Sequence, residues 1–142
     1  MGTYSVLYED WQMQCCGIEF SVGDTVKWPI AKWDTEWNAD WDLAFIQLSL
    51  GAVAYIYDAH SPKYEELSIV EGAVGEICAV YCSHEPHATD SKMEVTIPRI
   101  AVSVSHADRL REDIDGLRFS SYFVTLKNCA IRPATPTDIT FK

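Results

Sequence analysis

Cys15, Cys16, Cys78, Cys82, His84 and His87 are the residues of this chain whose types point most directly to chemistry, because thiolate and imidazole are the side chains tetrahedral zinc prefers. Their spacing tests the idea. If 70–83 is extended, Cys78 and Cys82 face the same way about 13 Å apart, at about 3.3 Å per residue. Two sulfurs on one zinc, each about 2.3 Å from it, stand only about 4 Å apart. Cys78 therefore drops out. Cys82 and His84, two residues apart, share a face at chelating distance, His87 can fold back towards them, and Cys15 or Cys16 must complete the set. The candidate metal ligands are thus Cys15, Cys16, Cys82 and His84. No Cys-x-x-Cys pair is present, so the reading placed first is a chain without a cofactor, with zinc as the alternative.

The adjacent thiols Cys15 and Cys16 also raise nucleophilic chemistry. Reactivity requires thiolate, and Glu9, Asp10 and Glu19 oppose it unless the fold supplies a cation. One thiol turned inward and one outward is the simpler expectation. Cys16 with His60 or His106 forms a candidate nucleophile and base, and Asp58-x-His60 a base with its orienting group, but neither carries a nucleophile signature. There is no Gly-rich phosphate loop, Gly-x-Ser-x-Gly elbow or His-Glu-x-x-His helix. A catalytic set is therefore not assigned.

Tryptophan offers a different chemistry. Trp33, Trp37 and Trp41 recur at i, i+4 and i+8, and such a stripe more often faces a core than a ligand. Where it does not, it lines a groove for an aromatic, cationic or sugar ligand, or an interface. The candidate binding residues are Trp11, Gln12, Gln14, Trp33, Trp37 and Trp41.

These residues must be positioned by short elements. Tyr4 to Tyr8 reads as a strand, Glu9-Asp10 as a turn, and Phe20 to Trp28 as an extended segment broken at Gly23-Asp24, with Pro29 ending it or placing it at an edge. The clearest helix runs from about Thr35 to Leu50, capped by Asp34 or Thr35 and stopped by Gly51. Leu43, Ile46 and Leu50 lie round its far side, so its C-terminal half should be buried on most faces. Ala52 to Tyr57 and Val70 to Ser83 read as strands, the second bent at Gly72 and Gly75. Asp58 to Ser68 and His84 to Lys92 read as loops, and Val95 to Val104 as another extended stretch. Ser105-x-x-Asp108 opens a short helix carrying Leu110 and Ile114 and ending at Gly116. Leu117 to Ile131 is the last strand, with 133–142 as a tail.

The bulk composition bounds the function. The 142 residues are 48% hydrophobic and 12% aromatic, enough for one ordered domain over 1–142. Lys and Arg number 11 against 21 Asp and Glu, a net charge of −10 that repels phosphate backbones and anionic membranes. No apolar run reaches the length of a membrane span, and no export signal is visible. An odd number of cysteines, 5, then points to free thiols in a reducing, cytoplasmic setting.

The block Asp10-Trp11-Gln12-Met13-Gln14-Cys15-Cys16-Gly17, followed by Phe20, Val22-Gly23-Asp24, Val26 and Trp28, resembles a family of small uncharacterised bacterial proteins, a domain of unknown function. Weaker matches follow at 75–82 and at 117–122. The resemblance implies no activity. From the residues, the expected fold is α+β: a small, strongly bent antiparallel β-barrel or sheet covered by one Trp-rich helix and one short helix. The expected function is a non-catalytic binding or interaction module for a basic protein partner or a second copy, without nucleic acid or membrane. A zinc- or thiol-dependent enzyme using Cys15, Cys16, Cys82 and His84 is the alternative.

Overall fold

In the computed structural model, the described residues are 2–36, 39–61, 63–86 and 94–138, without the side chains of 16, 39, 40, 42 and 95. The chain runs β1 (Gly2–Glu9), α1 (Asp10–Cys16), β2 (Phe20–Ser21), β3 (Thr25–Lys32), α2 (Ala39–Gln47), β4 (Tyr55–Tyr57), β5 (Ser68–Pro86), β6 (Glu94–Val104), β7 (His106–Ala107) and β8 (Arg118–Pro133). The protein is broadly α+β and dominated by its sheet. Six strands pair in the order β3-β4-β1-β8-β5-β6, and a further pairing of β3 with β5 closes the first five into a ring.

Strand β5 makes this closure because it is long enough to serve two neighbours. Its first part, Ser68 to Ala73, pairs with β3, and its second part, Ile77 to Pro86, pairs with β6. Against β8 its register shifts between Glu71 and Ala73 and again between Val74 and Glu76, the two places where Gly72 and Gly75 stand. Extra residues at such shifts sharpen the bend of a strand. The sheet is mixed rather than antiparallel throughout, since β1 and β4 run parallel. Pro29 lies inside β3, where the partner of that strand changes from β5 to β4.

The alternation of side chains sorts the core into two faces. Val6, Tyr8, Phe20, Trp28, Ile30, Tyr57, Ile77, Ala79, Tyr81, Tyr122, Val124 and Leu126 fill the ring. The rings of Tyr8 and Tyr57 stack at 3.9 Å there, with Trp28 edge-on to both. Leu7, Cys78, Val80, Cys82 and Phe123 point outward and are covered by Phe45 of α2 with Trp33 and Val53. Trp28 and Trp33 are therefore core, and Trp41 packs against the second cluster from its rim.

Several expectations need correction. The helix placed at 35–50 is the shorter α2, and Trp33 precedes it in an extended segment whose amide donates to the Ala54 carbonyl. Trp37 lies outside the described residues. Leu43 and Ile46 are 58% and 61% exposed, so α2 buries one face only. The short helix is α1, formed where a turn was expected at Glu9-Asp10. Asp10 begins it and accepts a bond from Gln14 one turn on. Its end is set by Gly17: a side chain there would collide with the Tyr8 hydroxyl and come within 2.7 Å of the Met13 Cα.

No helix forms at 105–116. Asp115 and Gly116 both have positive φ, and Ile114 and Leu117 exchange two backbone bonds across them. Asp-Gly flanked by apolar residues is the signature of a tight hairpin turn, which the capping-like Ser105 and Asp108 obscured. At the other end, 133–138 is held rather than trailing. Asp138 accepts two bonds from Arg132, and Ala134 is buried.

Candidate functional site

The first turn after β1 sets up the most chemically specific arrangement in the molecule. Helix α1 turns Gln12 and Met13 inward, 2% and 0% exposed, and leaves Trp11, Gln14 and Cys15 outside. The segment after β4 comes back beside it, so that His60 meets α1. Cys15 Sγ lies 3.1 Å from His60 Nε2, and His60 Nδ1 lies 2.7 Å from Gln12 Oε1. The ring of Trp11 sits against the His60 ring at 4.9 Å between centroids.

The protonation pattern of this trio follows from a fourth group. The Ala59 amide lies 3.3 Å from the same Gln12 atom, and a backbone N–H can only donate, so the atom facing both groups is the amide oxygen. That oxygen accepts from His60 Nδ1–H. Nε2 of the neutral ring is then an acceptor aimed at the Cys15 thiol. Asp58 fixes the backbone underneath by accepting from the amides of His60 and Ser61.

Two depressions lie on this side of the molecule. A depression of about 330 Å³ is lined by Glu9, Trp11, Gln12, Asp58, His60 and Ser61. A second, of about 370 Å³, is lined by Glu9, Lys32, Trp33, Asp34 and Trp41. Both are lined by Glu9 and Ile56, so the two depressions are neighbours. Burial raises the pKa of Glu9, the Asp58 charge adds to it, and a hydrogen bond from Trp11 opposes it.

Of the residues singled out for zinc, Cys15, Cys82 and His84 are not brought together. Cys82 is fully buried among Leu7, Trp33 and Phe45, and burial pushes its thiol pKa up. His84 is exposed, 3.3 Å from Thr96 Oγ1 on the neighbouring strand, and Cys15 is at the helix. The Cys16 side chain and His87 lie outside the described residues. Cys78 and Cys82 do share a face of β5, as their spacing predicts, but inside the core.

Among the described residues, one other group has metal-ligand composition: Glu19, His106 and Asp108. Pairing of Ser21 with His106 and of Phe20 with Ala107 brings Glu19 alongside β7. The Arg109 amide, 2.6 Å away, and His106 together lower the Glu19 pKa. Sequence reasoning missed this set because 105–116 was read as a helix. In a strand, His106 and Asp108 are i and i+2 and share a face, which was the available signal.

No curated protein and no solved structure matches this chain. Residues 2–128 match the model of a family described only as of unknown function (DUF6578).

Proposed function

The chain belongs to that family of unknown function, and from its own residues we propose a thiol-dependent enzyme of the acyl-transfer class. Cys15 is the nucleophile, His60 its general base and Gln12 the group that holds the imidazole. The observation that carries the reading is the chain of contacts Cys15–His60–Gln12 at 3.1 and 2.7 Å, with the tautomer set by the Ala59 amide. His60 Nε2 takes the thiol proton as sulfur attacks an acyl carbon, and returns it to the departing group. Water then attacks the thioester with His60 again as base. The substrate lies in the depression lined by Trp11, Gln12 and His60.

Alkylation by iodoacetamide, mapped by tandem mass spectrometry to separate Cys15 from Cys16, tests the pair. His60→Ala should slow modification at Cys15 at neutral pH by about a hundredfold, the lower end of what a positioned base contributes. Unchanged alkylation in that variant would overturn the assignment.

The two depressions support a second reading as a non-catalytic binding module, since Trp11 lines one and Trp33 and Trp41 the other, each offering aromatic contact surface. An acidic chain of net charge −10 suits a basic protein partner better than nucleic acid, and free thiols suit a cytoplasmic setting. Among the described residues no helix is long and apolar enough to cross a membrane. Cys15→Ser separates the readings: it abolishes a thiol-dependent reaction and leaves simple binding intact.

A further inference from the structure

We propose that Glu19, His106 and Asp108 bind one divalent transition-metal ion of the zinc class, at a site separate from the Cys15–His60 pair. The case rests first on distances. His106 Nε2 lies 3.6 Å from Glu19 Oε1 and 3.5 Å from Asp108 Oδ1, and the three donor atoms lie within 4.8 Å of one another. Those separations are long for charge-assisted hydrogen bonds, which run about 2.7–2.9 Å. They match two ligands of one ion: atoms each about 2.1 Å from a tetrahedral metal stand about 3.4 Å apart.

The second argument is the way the three side chains are held. Ser21 Oγ lies 2.6 Å from His106 Nδ1, the Arg109 amide donates to Glu19 Oε2 at 2.6 Å, and Arg111 donates to Asp108 Oδ2 at 3.1 Å. In each case the contact is to the atom that faces away from the shared point. Metal ligands are oriented in this way by their outer neighbours. Arg111 also donates to the His106 carbonyl and to the Tyr122 hydroxyl, so the β7 segment is anchored to β8. Arg111 pairs with Asp108 and the Arg109 guanidinium, held on the Gly17 carbonyl, acts on Glu19, so both carboxylates stay ionised while the oxygens on the shared side remain available as donors.

The composition narrows the ion. Imidazole with carboxylates suits zinc and its neighbours over calcium or magnesium, which favour all-oxygen sets. Half-exposed ligand side chains leave the remaining positions open to water.

The test is zinc titration of the chelator-treated full chain by calorimetry, in parallel with Cys15→Ser, which removes the exposed thiol as a competing ligand. One zinc should bind per chain in both, with affinity lowered at least about tenfold by His106→Gln and by Asp108→Asn, a loss of the order seen when a metal site is disturbed. Absence of binding at micromolar zinc would overturn the proposal, as would binding that survives His106→Gln or disappears in Cys15→Ser. A readout on the unmodified protein covers variants that fail to fold: added Mn²⁺ should broaden the ring-proton resonances of His106 before those of His84. Broadening at His84 with His106 untouched would overturn the site equally.

Discussion

His60 and His106 each have a partner at both ring nitrogens, yet the two rings are set among opposite chemistries. His60 stands between a buried amide oxygen and a thiol, beneath the indole of Trp11. His106 stands between a hydroxyl and two carboxylates at the open rim of β7. The inner partner plays the same part in both, turning and fixing the ring. The outer partner decides what the ring can do: a thiol makes it a base, and two carboxylates make it a ligand. The pairing of one residue type with two kinds of neighbour is a product of the chain path, since 45 residues separate Cys15 from His60.

The largest effect that separates these regions is expected at Gln12. Gln12→Ala removes the oxygen that accepts from the half-buried Ala59 amide and His60 Nδ1, which should cost about 1–3 kcal/mol in urea melts. It should also slow Cys15 alkylation to the His60→Ala level. Normal alkylation in a folded Gln12→Ala protein would show that the amide positions nothing. Arg111→Met disturbs the other region, removing bonds to the His106 carbonyl, Asp108 and Tyr122, and should cost about 1–2 kcal/mol. Cys15 reactivity should stay unchanged in it. A fall there would join the two regions into one network and break the comparison.

The smallest effect is at Glu9, which lines both depressions. Its folded pKa is raised by burial, so stability from this group is complete below its ordinary value of 4.5 and is lost as pH rises through the shifted value. Glu9→Gln removes that loss. A Tm a few degrees above the parent is expected at pH 7, with the gain gone at pH 4. A gain that persisted at pH 4 would assign the effect to packing rather than charge.

How much of this was legible in the sequence differs by element. The strands were, because short apolar runs such as Val6 to Tyr8 and Ile77 to Cys82, bounded by turn residues, read as strands buried on both faces. Helix α1 was not, since seven residues span too few turns for a periodic stripe and the Trp-Gln-Met-Gln block shows none. The segment at 105–116 misled because capping residues and hairpin residues overlap in type, and only the positive φ at both Asp115 and Gly116 separates them. At the site, Gln12 and His60 were both visible as candidates, but the thiol weighed for a histidine was Cys16, with His60 or His106, whereas the structure places Cys15 beside His60. Adjacent residues on a helix point about 100° apart, so which of two neighbouring cysteines meets a distant histidine depends on the phase of α1.

The sequence by itself determined a β-rich chain with an acidic balance, enough apolar residues for a core, and a short inventory of thiols, imidazoles and indoles capable of chemistry. These properties are sums or local alternations, and need no knowledge of the chain path. The tertiary structure alone decided the ring closure by β5, the meeting of Cys15 with His60 and Gln12, and the gathering of Glu19 with His106 and Asp108. Each of those depends on strand partners and register far apart in sequence, where a shift of one residue turns a side chain to the opposite face.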